Sequence, residues 1–166
     1  RDTIFVYNGT SSGVMFDNLN IIDDNRIGLT ICDATSAAFA VPIDFKKIDV
    51  LTYSWQKVLG GEAGHGIIVM SPRALERLEN FEPENRPIPE LFNLKKIGKI
   101  NYEIFDGSTI NTPSMLCVED AKDSLLWAKS IGGLAGLIER TNKNSGYLYN
   151  FIDNNKYLKP LCDDRK

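Results

Sequence analysis

The chain has 166 residues, with 19 basic and 22 acidic side chains for a formal charge of −3, and 43% hydrophobic, 25% charged and 10% aromatic residues. That composition is average for a globular domain and excludes a disordered, collagenous or membrane-spanning chain. A slightly acidic chain without a long basic run offers no electrostatic footprint for nucleic acid or an anionic membrane.

Cys32, Cys117 and Cys162 are odd in number, far apart and form no CxxC pair, and His65 is the one histidine. A zinc site lacks its ligands, and a reducing cytoplasm is the expected compartment. No stretch approaches the roughly 18 apolar residues of a transmembrane helix. The triplet Asn8-Gly9-Thr10 is formally a glycosylation acceptor, but nothing else marks the chain as secreted.

In chain order, four short apolar runs bounded by turn residues read as buried strands: Thr3 to Tyr7, Gly28 to Cys32, Val50 to Tyr53 and Gly66 to Met70. Asp33 to Ala40, rich in small residues, predicts a short helix packed close to a sheet. Ser71-Pro72 gives an N-cap followed by proline at the first helical position, and Arg73 to Asn80 continue the helix. Strands alternating with helical segments define an α/β layered sheet. Phe81 to Asp106, with Pro83, Pro87 and Pro89 and a basic patch at Lys95, Lys96 and Lys99, reads as a long loop or arm. Thr112-Pro113 is expected to open the longest helix. Met115, Val118, Leu125 and Leu126 would form its apolar face, and Gly132-Gly133 would end it. A second helix from Leu134 to Asn142 would continue past Ser145-Gly146 to Ile152.

The segment Leu51 to Gly66 carries the chemistry. A strand runs into Lys57, flanked by Trp55 and Val58 rather than by charges, and a glycine-rich turn then leads into the next strand. At a buried strand end this amine would be desolvated and nucleophilic, or it would simply snorkel to the surface. The glycines fit neither GxxxxGK[ST] nor GxGxxG, so they are read as room for a tight turn. Asp33, directly after a strand, lies where open α/β sheets bind ligands, although a helix N-cap would explain it equally well. A strand-end lysine and a strand-end aspartate together form the pair that pyridoxal phosphate enzymes need, one for the Schiff base and one for the pyridinium nitrogen.

Tyr7 to Gly13, Leu29 to Ala40, Thr52 to Gly66 and Ser108 to Asp120 resemble, in order and spacing, the phosphoserine aminotransferases of the archaeal and alphaproteobacterial type. These belong to the class V aminotransferases of fold type I. The resemblance runs from about Arg1 to Ile152. It implies an α/β fold in which this chain is the central part of a large domain, with a mostly parallel sheet flanked by helices. Residues 1–130 would be the C-terminal portion of the pyridoxal-phosphate-binding domain, and 131–166 a linking helix and the start of a small C-terminal domain. By the same resemblance, more than half of a complete member would lie outside this chain. A strand edge or sheet face would then be uncovered, and residues 1–166 alone would bind cofactor weakly and be inactive.

The resemblance also implies roles. Lys57 would bind pyridoxal 5'-phosphate covalently and shuttle the substrate proton, Asp33 would hold the ring nitrogen, and Thr10 would contact the phenolic oxygen. Gln56 would line the phosphate or ring side, and Asn111 and Thr112 would complete the phosphate pocket of the partner in a homodimer. Thr112 could instead merely cap a helix, whose N-terminus would itself attract phosphate. The implied reaction passes an amino group between glutamate and 3-phosphohydroxypyruvate, giving phosphoserine and 2-oxoglutarate in serine biosynthesis. No metal is implied, and His65 matches no catalytic role and reads as a structural turn residue. The alternatives are another class V enzyme, of the alanine–glyoxylate or cysteine desulfurase type, or a non-catalytic module that keeps the fold. Trp55-Gln56-Lys57 and Asn111 to Met115 favour the first reading, and a desulfurase would need a cysteine on a mobile loop.

Overall fold

The computed structural model describes residues 1–84 and 86–161, so Cys162 and the last part of the proposed second unit lie outside the described residues. Four strands form one sheet in the order β1 (Thr3–Val6), β2 (Thr30–Asp33), β3 (Val50–Tyr53) and β4 (Ile67–Met70). β1 with β2 and β2 with β3 are parallel, and β3 with β4 is antiparallel. The mostly parallel sheet expected from the sequence is present.

Period-two alternation gives the sheet a covered and an open face. Phe5, Cys32 and Leu51 stand side by side in register, and Cys32 and Leu51 are 0% and 2% exposed. The connections between strands cross this face and bury Tyr7, Leu19, Ile22, Ala34, Ala37 and Ile48 against it. Phe16 meets the Phe5 ring edge-on at 5.0 Å, a favoured aromatic geometry. On the opposite face Ile4 is 75% and Val6 55% exposed. The buried-strand expectation therefore fails for β1, and likewise for β4, where Ile68 and Val69 are 37% and 41% exposed. These are the two edge strands, each paired on one side only among the described residues.

The helix expected at Asp33 to Ala40 is instead a run of turns. Ala38 N–H reaches Ala34 O at 2.7 Å and Val41 N–H reaches Ala37 O at 3.1 Å. Phe39, at φ 67°, then takes the left-handed conformation that a helix cannot continue through. α1 (Pro72–Asn80) forms as predicted, with Ser71 Oγ accepting from Ala74 N–H at 3.1 Å.

The arm from Phe81 to Asp106 contains structure that its prolines conceal. Ile97 and Gly98, both at positive φ, turn a two-residue ribbon, β5 (Lys95–Lys96) against β6 (Lys99–Ile100). Lys95 is not part of a free basic patch. Its Nζ donates to Glu79 O at 3.1 Å and Phe81 O at 3.0 Å, satisfying carbonyls at the end of α1.

α2 (Met115–Ser130) starts after Thr112-Pro113, with Ser114 rather than Thr112 at the N-cap position. Its buried residues are Cys117, Ala121 and Ala128, whereas Met115, Leu125 and Leu126 are 60%, 48% and 58% exposed. The apolar face predicted for this helix is thus the one left open, because the small side chains make the close contact. Ala128 packs with Leu59 and with Leu137 of α3 (Gly133–Asp153). Gly132 and Gly133, at φ 104° and 66°, make the reversal between the two helices, and α3 continues unbroken through Ser145-Gly146.

Among the described residues no helix is long and apolar enough to cross a membrane, and no group of three or more His, Cys, Asp or Glu side chains could hold a metal ion.

Candidate active site

Because β1, β2 and β3 run the same way, their carboxyl ends and the loops that follow share one edge of the sheet. Three of these loops carry predicted site residues. Thr10 is exposed in the tight turn after β1, closed by Gly9 N–H to Val14 O and Gly13 N–H to Gly9 O, both 2.8 Å. Asp33 ends β2, and Gln56 and Lys57 follow β3. Cross-bonds hold the loops together. Tyr7 N–H donates to Asp33 O at 2.9 Å and Ala34 N–H to Thr52 O at 2.8 Å, while Ser36 Oγ donates to Asn8 O at 3.1 Å. Asn8 Nδ2 in turn donates to Ser36 Oγ at 3.3 Å, so the formal glycosylation acceptor is engaged in the site's own scaffold.

The Asp33 side chain is exposed at the strand end. Its Oδ1 accepts from Thr35 N–H at 2.9 Å and from Thr35 Oγ1 at 2.6 Å. Asp33 thus caps no helix, since none directly follows it: one oxygen fixes the turn, and the carboxylate keeps a second oxygen to offer. Thr35 is a site residue that the sequence reading missed, and its signal was the Asx spacing Asp33-Ala34-Thr35.

Lys57 is not at a buried strand end. It is exposed, in a turn beyond Tyr53, so the desolvation expected for its amine is absent. The difference is one of reach, since the residues between Tyr53 and Lys57 carry the lysine clear of the sheet. Gly60 N–H to Lys57 O at 3.0 Å and Gly61 N–H to Trp55 O at 3.1 Å close this turn. Next to the lysine, Ser54 Oγ and Gln56 Oε1 are buried and have no hydrogen-bond partner among the described residues. Unsatisfied buried polar atoms are costly, and two of them in the residues just before Lys57 are free to meet a polar group from outside the described residues.

Asn111 and Thr112 are exposed in the segment leading to α2. Asn111 Nδ2 reaches only Thr112 O, at 3.5 Å, and among the described residues neither side chain hydrogen-bonds to the Lys57 turn. Thr112 does not cap the helix, and Ser114 makes no side-chain cap bond, so the first N–H groups of α2 are left uncapped. The nearest link to the lysine loop is Cys117 Sγ, which donates to Glu62 Oε2 at 3.4 Å. The structure thus gathers Thr10, Asp33, Gln56 and Lys57 on one sheet edge and leaves Asn111 and Thr112 outside that group.

The strand-end aspartate and the lysine-bearing glycine turn thus share the carboxyl edge of a mostly parallel sheet. The aminotransferase class-V family model matches residues 4–162, and the chain belongs to that family. Over all 166 residues it is 53% identical to the phosphoserine aminotransferase of Methanosarcina mazei, and it spans 45% of that relative's length. Among solved structures, the alanine–glyoxylate aminotransferase of Nostoc sp. aligns with a TM-score of 0.73 at 19% identity, over 92% of this chain and 40% of the other. The phosphoserine aminotransferase of Trichomonas vaginalis, solved with pyridoxal phosphate bound, aligns with a TM-score of 0.65 at 22% identity, over 95% and 40%. The fold is therefore that of fold type I aminotransferases. Both substrate types share it, so the fold does not distinguish between them.

Proposed function

We propose that the complete gene product is a pyridoxal-phosphate-dependent phosphoserine aminotransferase, active in the cytoplasm in serine biosynthesis. It would transfer the amino group of glutamate to 3-phosphohydroxypyruvate. The observation that carries the reading is the convergence of Asp33 and the Lys57 turn on the carboxyl edge of the sheet. The 53% identity to a phosphoserine aminotransferase supports this substrate over the alanine–glyoxylate alternative. Residues 1–130 would belong to the cofactor-binding domain, and 131–166 would lead through α3 into a smaller one.

The residues present suit the cofactor in chemistry: a primary amine, a carboxylate with a free oxygen, and two buried polar atoms awaiting partners. Pyridoxal phosphate, when bound, supplies an electron sink for the pair left when a substrate Cα–H bond breaks. Lys57 would hold the cofactor through Nζ. Once an incoming amino group displaces it, its free amine would take the proton from the substrate Cα as general base. Asp33, oriented by Thr35, would keep the ring nitrogen protonated. Thr10 would donate to the phenolic oxygen, and Gln56 would line the phosphate or ring side. Asn111, Thr112 and the uncapped start of α2 would bind the phosphate held by a second subunit, since helix N–H groups favour an anion.

Borohydride reduction of the complete gene product with pyridoxal phosphate tests the reading. The pyridoxyl label is expected on Lys57, together with phosphoserine-dependent formation of glutamate from 2-oxoglutarate. A label on another lysine, or none, overturns the assignment. Labelling without turnover of phosphoserine, but with turnover of alanine and glyoxylate, overturns the substrate.

A further inference from the structure

We propose that His65 is a positioning residue, whose ring, packed against Trp55, holds the turn that presents Lys57. The proposal rests on the lysine reading above. Trp55 lies two residues before Lys57, and its ring meets the His65 ring at 5.0 Å between centroids with the planes tilted by 34°. Gly61 presses on the Trp55 ring as well: a Cβ built there would come within 2.7 Å of Trp55 Cδ1, closer than real Cβ atoms approach anything. Trp55 thus meets an imidazole and lies close against a glycine backbone. That glycine also donates its N–H to Trp55 O and, with Gly60, closes the turn around Lys57.

Among the described residues no polar bond joins the two rings. Trp55 Nε1 and His65 Nδ1 are both buried without a hydrogen-bond partner among the described residues. The Lys57 side chain is exposed and makes no hydrogen bond or ion pair among the described residues, so the backbone of this turn sets where its amine begins. The turn stands on a second apolar cluster, in which Trp55 and Val58 pack against Leu59, Ala128 and Leu137. Removing the imidazole would open one side of Trp55. His65 is flanked by Gly64 and Gly66, which have no side chains to take its place. The turn would then loosen while the sheet stayed intact, and a reacting group displaced by about 1 Å costs roughly 10²-fold in rate.

The test compares His65→Ala, His65→Phe and His65→Asn in the complete gene product. The first readout is amide hydrogen exchange without cofactor. His65→Ala should speed exchange at Gly60 and Gly61 by about tenfold or more, as expected for local opening, with the β3–β4 ladder unchanged. The second readout is steady-state kinetics with cofactor, where kcat should fall by about 10–10²-fold while KM for glutamate holds within about threefold. His65→Phe, which keeps a flat ring, should restore both readouts. His65→Asn, which keeps a polar group in place of Nδ1, should restore neither. Rescue by Asn but not Phe, or unchanged exchange at Gly60 and Gly61 in His65→Ala, overturns the proposal. Loss of the borohydride label on Lys57 in the unaltered protein would sink the aminotransferase reading, yet the exchange result would still judge the ring contact.

Discussion

Arg26 reaches Asp49 across the foot of the sheet, Nη2 to Oδ2 at 3.0 Å, and the Asp49 side chain is 4% exposed. The same carboxylate accepts from Thr30 N–H at 2.8 Å and from Ser71 Oγ at 3.1 Å, so it ties the starts of β2 and β3 to the N-cap of α1. Arg73 completes the knot: its Nη2 donates to the carbonyls of Arg26, Ile27 and Gly28 at 2.8, 2.8 and 3.0 Å. Removing one partner of a buried ion pair strands the rest. Asp49→Ala should therefore cost about 3 kcal/mol in a urea titration of the complete gene product, and Asp49→Asn, which keeps the shape and one acceptor, distinctly less.

The same group predicts a pH dependence. Burial raises the Asp49 pKa, but the Thr30 N–H, the Arg26 guanidinium and the Ser71 hydroxyl outweigh it, holding the carboxyl below its ordinary range. A depressed folded-state pKa contributes stability that is fully present above the ordinary aspartate value of about 3.9 and is lost as the pH falls through the lower folded value. Denaturant midpoints measured from pH 6 down to pH 2.5 should fall more steeply in the native protein than in Asp49→Asn. Parallel curves would contradict this.

Cys32 is fully buried on β2, and burial, with the Asp33 charge adding to it, pushes its thiol up to about 11 against a lowering bond from the Tyr7 backbone. The thiolate is the reactive form, so Cys32 should resist iodoacetamide in the native protein at pH 8 and label only in denaturant, as mass spectrometry of the peptide would show. Rapid native labelling would mean that the face formed by Phe5, Cys32 and Leu51 opens readily.

Thr35 is expected to act on turnover rather than on folding. Thr35→Val removes the 2.6 Å bond to Asp33 Oδ1 but leaves the backbone N–H bond. The carboxylate would be less firmly aimed, and kcat should drop by about tenfold with a melting temperature within a few degrees of the native protein, consistent with the loss of one orienting hydrogen bond.

The strands and α1 were legible because their signals are local: apolar runs, and Ser71-Pro72 at a helix start. Legibility ended where tertiary partners decide. Nothing near Phe39 announces its left-handed φ, so the segment after Asp33 looked helical. Met115, Leu125 and Leu126 have the spacing of a core face, yet Ala121 and Ala128 make the contact, because close packing favours small side chains and hydrophobicity alone does not specify the partner. Of the candidate site, Asp33 and Lys57 were readable as residues that follow strands, whereas Thr10 and Gln56 came only with the family resemblance. Thr35 and the Trp55–His65 contact were not readable, since both depend on how a turn folds back on itself.

β4 returns antiparallel to β3, with Tyr53 opposite Ile67. The lobe from Ser54 to Gly66 therefore leaves and re-enters the sheet at neighbouring points, roughly 5 Å apart as adjacent strands must be. It is a closed handle whose two feet are fixed by the ladder. A residue inserted or lost within it is absorbed there and does not slip the strands. The reach and aim of Lys57 are for that reason adjustable by the length of one loop, independently of everything that holds the sheet together.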